Sequence, residues 1–140
     1  MTLNNRAGGF TQGANAAAPG KRPVHTLAPA LLESSRGVLA LATPGADGQV
    51  QTLLQVLAAL RLEDTDLARA IARPRWRSED GRLLIERSHA GQAHLQALGH
   101  HLLPLDDGEV RFGAVVCAGQ LDGEPVAAAD WRRETFAGVA

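Results

Sequence analysis

Runs of apolar residues alternate with short polar stretches along the chain, and their spacing predicts both strands and helices. The apolar runs at 24–32 and 38–42 indicate two mostly buried strands, and the polar residues 33–37 between them predict a hairpin turn. From Gln49 to Leu60 the apolar positions follow the i, i+3, i+4, i+7 spacing of a helix with one broad buried face. Asp47 stands where we expect the N-cap of this helix.

Two shorter helices are predicted further along the chain. One runs from Asp66 to Ala72, with Asp64 or Thr65 as its cap. The other runs from Gly91 to Leu98 and ends at Gly99, which suits the left-handed position after a helix.

Strands are predicted at 82–86, 101–105, 113–120 and 125–129, with a short extended piece at 75–77. Mixed strands, hairpins and about three helices predict an α+β fold rather than a doubly wound parallel one. We expect one domain over residues 1–140, in which the glycine-containing residues 1–20 form a loose or wrapping N-terminal segment.

Composition and charge exclude several classes of partner. The chain is 45% hydrophobic but only 4% aromatic, so Leu, Ala and Val must build the core. With 14 basic and 15 acidic residues and no basic stripe, the sequence gives no support for a nucleic-acid partner. No apolar run approaches the ~18–20 residues of a membrane span. No signal peptide precedes the domain, so we expect a cytoplasmic location for the chain as given, or a periplasmic one if it is part of a larger exported precursor.

The cysteine and histidine positions favour no metal or cofactor. Cys117 is the only cysteine and lies in an apolar run, so we interpret it as a core residue. His89 and His94 are five residues apart, off the helical ligand spacing, and the neighbours His100 and His101 should point opposite ways on a strand. The segments 75–77 and 131–133, each with Arg beside Trp, are interpreted as solvated edges or partner contacts.

The small-residue turn at 42–48 separates an apolar strand from a helix start. Such a turn presents backbone N–H groups to an anionic group. No Lys-Ser or Lys-Thr follows, which excludes a phosphate-binding P-loop.

Seven segments occur in order along the chain and together carry a resemblance to a known family. They read LNNRAGGF, NAAAPGKRPVHTLAP, ATPGADGQVQTLLQ, AIARPRW, LLIE, LGH and AAADWRRETFAG. Over nearly its whole length the chain resembles the C-terminal part of the small subunit of γ-glutamyltransferase (γ-glutamyltranspeptidase). The resemblance implies an N-terminal-nucleophile hydrolase fold, an αββα sandwich with antiparallel sheets, of which this chain would form part.

In that family a precursor cleaves itself, and the newly exposed Thr attacks a γ-glutamyl amide, usually of glutathione. The resemblance implies substrate-binding positions at Asn5, Arg6, His25 and Thr26. It implies an oxyanion-binding site at Gly45 and Ala46. It also places Gly9 at the family's acidic residue, which pairs with the substrate's α-amino group, and Gly48 at an arginine. Ala46 keeps its N–H, but its Cβ is costly if the turn requires a positive φ.

The family's nucleophilic Thr lies upstream of the LNN stretch, so we expect no catalytic residue here and no γ-glutamyl transfer or hydrolysis by the chain alone. It would then need a large subunit or a separate chain, and could hold a glutathione-like ligand. Alternatively, Thr2 would become a nucleophile after removal of Met1. A different alternative is a non-enzymatic binding or assembly module that forms a homo-oligomer or complements a separate catalytic chain.

Overall fold

The computed structural model describes residues 5–24, 27–63 and 65–138 and arranges them in two sheets with three α-helices. The strands are β1 (Ala30–Ser34), β2 (Gly37–Ala42), β3 (Trp76–Glu79), β4 (Arg82–Glu86), β5 (Leu102–Leu105), β6 (Val116–Leu121) and β7 (Glu124–Ala129). The helices are α1 (Gln49–Leu62), α2 (Leu67–Ala72) and α3 (Gln92–Ala97).

One sheet has the order β1-β2-β6-β7, with every neighbouring pair antiparallel. Its inner face packs against α1 and α2 to form the core. The buried cluster consists of Leu39, Leu41, Leu53, Val56, Ala59, Ala70, Ile71, Val115 and Cys117. Cys117 is therefore a core residue, as its apolar run predicts.

The outer face of this sheet is apolar and open. Leu31 is 70% exposed, Val38 44% and Val116 42%, and the groove over this face has a volume of about 710 Å³. The expectation of mostly buried strands was wrong for β1 and β2, because inward and outward side chains alternate along each strand and only one face meets a helix.

The second sheet has the order β3-β4-β5. The β3–β4 hairpin turns through Asp80 and Gly81, both with positive φ, whereas β4 and β5 run parallel. A parallel pair needs a crossover, and α3 lies in the connection between these strands.

Several element boundaries differ from those predicted. The first strand begins at Ala30 rather than near residue 24, and Pro29, which has no N–H to donate to a strand ladder, directly precedes it. β6 begins at Val116 rather than Gly113, because Gly113 has φ +73 and the Ala114 and Val115 N–H groups donate to side chains instead.

The helix caps also differ. Asp47 lies in a 3₁₀ turn (Ala46–Gly48), and the N-cap of α1 is Gly48, with no side-chain cap. Asp66 is itself the cap of α2, its Oδ1 accepting from the Arg69 N–H at 2.9 Å. Gly99 follows α3 with φ +87, as the sequence predicts.

The described part of the N-terminal segment folds on itself in two 3₁₀ turns, Asn5–Gly9 and Gly13–Asn15. The Asn15 amide donates to the Gly9 carbonyl at 2.8 Å and accepts from the Val24 N–H at 3.3 Å. Over the described ranges, no helix has the length and apolar character that a membrane span requires.

Candidate functional site

The turn between β2 and α1 has the backbone geometry of an anion-binding site. Gly45 has φ +140 and Ala46 has φ +47, a left-handed conformation that a residue with a Cβ adopts at some cost. Across the described ranges, the N–H groups of Gly45 and Ala46 donate to no other group of the chain. Ala46 is exposed and Gly45 is partly buried, so a ligand can reach these N–H groups, which could then stabilise a developing oxyanion or hold a carboxylate.

Two buried threonines fix the entrance to this turn. Thr43 Oγ1 accepts from the Ala114 N–H at 2.9 Å and donates to the Pro44 carbonyl at 2.9 Å. Thr52 on α1 donates to the Phe112 carbonyl at 3.2 Å. Thr43 and Thr52 are 7% and 4% exposed, so the turn is attached to the loop before β6 through bonds shielded from water.

Arg77 on β3 holds the turn from its other side. Its Nη1 donates to the Gly45 carbonyl and to the Arg111 carbonyl, each at 3.2 Å. The guanidinium packs directly on Gly48, where a built Cβ would lie 2.7 Å from Nη1. Gly48 therefore leaves the space that the Arg77 side chain fills.

Behind the loop that precedes β6 lies a buried cluster of four charged residues. Arg75 pairs with Asp130 at 2.6 Å, and Arg132 pairs with Glu86 at 2.5 Å and with Asp130 at 3.1 Å. All four side chains are at most 2% exposed. The interpretation of 75–77 and 131–133 as solvated edges was therefore wrong for Arg75 and Arg132.

The buried cluster also reaches the loop that holds the turn. Arg75 Nη1 donates to the Phe112 carbonyl at 3.0 Å, and Asp130 Oδ2 accepts from the Val115 N–H at 3.0 Å. Residues 112–115 are thus held at Phe112 by Arg75 and at Val115 by Asp130. Between these two points the Ala114 N–H donates to Thr43. A sequence signal was available, because Glu86 ends an apolar strand and a buried carboxylate requires a cation.

Mutual pairing sets the ionisation of the cluster. Burial opposes the charged form of Asp130, but the Arg75 charge and the Val115 N–H outweigh it and hold the pKa of Asp130 below its usual value. Burial likewise opposes the charge on Arg132, yet its hydrogen bonds to Glu86 raise its pKa. Asp130 and Arg132 therefore both carry their charges at neutral pH.

The structure locates some of the site residues that the resemblance implies. Arg6 is exposed in the first 3₁₀ turn, and Gly45 and Ala46 form the turn described above. The side chain of Asn5 and the whole of His25 and Thr26 lie outside the described residues.

A nearby contact indicates where the segment after Thr26 runs. The Ala28 N–H donates to Gln49 Oε1 at 3.2 Å, and Gln49 is the first residue of α1, just after the turn. That segment therefore meets the α1 end of the turn. At Gly9, a built Cβ would lie 3.2 Å from the Val24 carbonyl, so a side chain there would be crowded.

No free nucleophile stands beside the turn among the described residues. The hydroxyls of Thr43 and Thr52 are used in the bonds above, and burial in the core raises the pKa of the Cys117 thiol. The same ranges contain no group of three His, Cys, Asp or Glu side chains suited to a metal ion. His100 and His101 precede β5 and both line one groove, so the expectation that they lie on a strand was wrong.

Comparison with known proteins supports the resemblance. The family model described as Gamma-glutamyltranspeptidase matches residues 1–140. The chain is 36% identical over 119 residues to the oxamate amidohydrolase proenzyme of Klebsiella pneumoniae, a match that covers 76% of this chain and 22% of the relative. The chain thus spans about a fifth of that curated relative.

Solved structures share the fold. The gamma-glutamyltranspeptidase of Pseudomonas nitroreducens matches with a TM-score of 0.78 at 21% identity, covering 99% of this chain and 81% of that one. The transpeptidase CapD of Bacillus anthracis matches at 0.75 and 22%, covering 100% and 90%. The cephalosporin acylase of Bacillus halodurans matches at 0.76 and 23%, covering 91% and 25%. These likenesses confirm the expected part of an αββα fold, and the match of the family model over residues 1–140 shows that the chain belongs to the gamma-glutamyltranspeptidase family.

Proposed function

We propose that this chain supplies the oxyanion-binding side of an amide-cleaving active site, and that residues 1–140 alone do not catalyse the reaction. The family reaction is transfer or hydrolysis of a γ-glutamyl group from a glutathione-like donor. The nucleophile would come from residues outside these 140, either on the same longer polypeptide or on a separate chain. The turn at Gly45 and Ala46 would bind the oxygen of the tetrahedral intermediate.

The observation that carries this proposal is the state of the hydroxyls beside the turn. Thr43 and Thr52 are buried, and each is already hydrogen-bonded to a backbone carbonyl. A nucleophile must instead be exposed to substrate and have a base within reach of its proton. The two unpaired N–H groups are therefore the part of the chemistry that the described residues can provide.

The open face of the four-stranded sheet supports the need for a covering layer. Leu31, Val38 and Val116 stand on it largely exposed, and it carries few polar groups. Exposed apolar patches of this kind mark surfaces that another segment covers. Because the chain matches only 22% of the Klebsiella proenzyme, we propose that further residues of the enzyme are the occupant.

Gly9 bears on the choice of donor. A glycine offers no charge to a substrate α-ammonium group, and loss of a buried charge partner costs about 3–5 kcal/mol in binding. The relative at 36% identity is named for oxamate, a small amide that carries a carboxylate and no ammonium group. We therefore propose small carboxylate-bearing amides as a second donor class beside γ-glutamyl compounds.

An assay with a chromogenic γ-glutamyl anilide tests the proposal. Purified residues 1–140 should release no anilide product above the buffer rate, with oxamate as a parallel substrate followed by ammonia release. Turnover that is lost in Thr2→Ala would establish Thr2 as the nucleophile and contradict the proposal. Turnover that survives in Thr2→Ala would contradict it too, by showing a complete site within the chain.

The second candidate is a non-enzymatic assembly module, which the same open face favours. In that case two copies would cover one another's sheet. Light scattering at high concentration should then give a dimer, and Leu31→Ser should return it to a monomer. A wild-type monomer at every concentration would count against this candidate.

A further inference from the structure

Arg77 occupies a position that its sequence context does not suggest. Strand β3 alternates, so Arg77 and Glu79 point to one face of the second sheet, whereas Trp76 and Ser78 line a groove on the other. The Arg77 side chain is 12% exposed and reaches across to the turn between β2 and α1. A long cation is therefore held mostly buried, in contact with the Gly45 carbonyl of the turn.

The fit between Arg77 and Gly48 is specific. A Cβ built on Gly48 would lie 2.7 Å from Arg77 Nη1, 3.1 Å from Cζ and 3.2 Å from Cδ. Gly48 has φ −81, so its backbone does not require glycine, and the constraint on its size comes from Arg77. A larger residue at position 48 would therefore have to displace the Arg77 guanidinium.

The hydrogen bonds of Arg77 orient the turn. Nη1 donates to the Gly45 carbonyl, which also accepts from the Gly48 N–H at 2.8 Å. The Gly45 carbonyl and the Ala46 N–H belong to one planar peptide and point opposite ways, so a carbonyl held on the Arg77 side directs the Ala46 N–H away from Arg77. Glu79 Oε2 lies 3.2 Å from Arg77 Nε and offsets part of the charge, and among the described residues Nη2 donates no hydrogen bond.

We propose that Arg77 is a positioning residue of the turn at Gly45 and Ala46, which aims the Ala46 N–H by holding the Gly45 carbonyl and adds positive charge to the turn. This inference rests on the proposed function of the turn and names a group that the family pattern does not assign. The ligand class is an oxyanion or carboxylate, since fixed N–H groups beside a guanidinium favour negative charge.

The test uses the full 140-residue chain and acetate as the probe. Amide NMR shifts of Gly45 and Ala46 are followed during titration in wild type, Arg77→Gln and Arg77→Lys. The control is Arg82→Gln, which removes the same charge from an exposed position of the same hairpin. We expect saturable shifts at both amides in wild type and in the control, and at least threefold weaker binding in Arg77→Gln.

Stability loss alone would not produce this pattern. A core variant such as Val56→Ala should lower stability while leaving the acetate shifts of Ala46 unchanged. Arg77→Lys keeps the charge but not the paired donors, so it should restore part of the affinity and leave the Gly45 amide shifted in the free protein.

A double-mutant cycle gives an independent readout. Gly48→Ala should move the Gly45 and Ala46 amides in wild type and leave them nearly unmoved in the Arg77→Gln background, because the clash partner is gone. Equal acetate binding in wild type and Arg77→Gln, or an additive cycle, would overturn the inference. Because these readouts need no turnover, their failure is separate from a failure of the proposed function, which the anilide assay reports.

Discussion

Replacing Arg132 by alanine should be among the most damaging changes available in this chain. Its side chain is 1% exposed and donates to Glu86 through Nε at 2.8 Å and through Nη2. It also donates to Asp130 at 3.1 Å and to the Ile71 and Arg73 carbonyls at 3.3 and 2.8 Å. Truncation would leave Glu86 and these carbonyls buried with fewer donors.

Breaking a buried ion pair from one side costs about 3–5 kcal/mol. That is a large part of the roughly 5–15 kcal/mol that stabilises a typical domain. Urea unfolding followed by far-ultraviolet circular dichroism measures the loss of stability, and the midpoint should fall by about 1–5 M at an m-value of about 1–3 kcal/mol/M. Fluorescence is a poorer probe, because the Arg132 guanidinium stacks 4.9 Å from the Trp131 ring centroid.

Controls separate this effect from a general sensitivity to mutation. Arg133→Ala changes the exposed neighbour and should alter stability by less than about 0.5 kcal/mol. Arg132→Lys keeps the charge without the paired donors and should cost about 1–2 kcal/mol. Glu86→Gln combined with Arg132→Met should cost less than the two single changes added together. If Arg132→Ala were no more harmful than Arg133→Ala, the buried cluster described here would be wrong.

Three further predictions follow from single features. The Asp130 pKa is lowered in the folded state, so its contribution to stability is present above about pH 4 and is lost as the pH falls further. In urea unfolding at a series of pH values, Asp130→Asn should therefore lose less stability than wild type as the pH falls below about 4. Ala46→Gly should raise the free energy of unfolding by about 1 kcal/mol, measured by heat or urea, since φ +47 suits glycine. The control Ala93→Gly, inside α3, should lower it by about the same amount. A lower stability in Ala46→Gly would contradict the left-handed turn. The buried Cys117 thiol, with its raised pKa, should react with a thiol reagent much more slowly in the native chain than in urea, and equal rates would show that the core is open.

The sequence was most informative where one period of apolar residues extended over a whole element. The spacing from Gln49 to Leu60 predicted α1, which runs to Leu62, and the strand at 82–86 was predicted with its observed bounds. Boundaries failed where tertiary bonds decide them, as at Gly113, whose loop is fixed by a threonine and a carboxylate far along the chain.

The buried cluster was beyond the reach of local patterns. Arg75 and Arg132 each stand beside a tryptophan and near charged residues, which is also the pattern of a solvated edge. They are 57 positions apart in the chain and meet only because Asp130 and Glu86 lie between them in the fold. The role of Arg77 was hidden for the same reason, since the glycine that accommodates it lies on another element.

The turn itself was predictable in position, and its positive φ at Ala46 agrees with the cost that the sequence suggested for a Cβ there. Its role as an oxyanion site stays a prediction, as do the substrate roles of Asn5, Arg6, His25 and Thr26.

We propose above that this chain supplies the oxyanion turn of an amide-cleaving enzyme and that the nucleophile comes from residues outside these 140. The most direct measurement is anilide release from a γ-glutamyl anilide by purified residues 1–140, combined with the intact mass of the protein after incubation. We expect release at the buffer rate and an unmodified mass. Sustained release together with a γ-glutamyl adduct on the chain would contradict it.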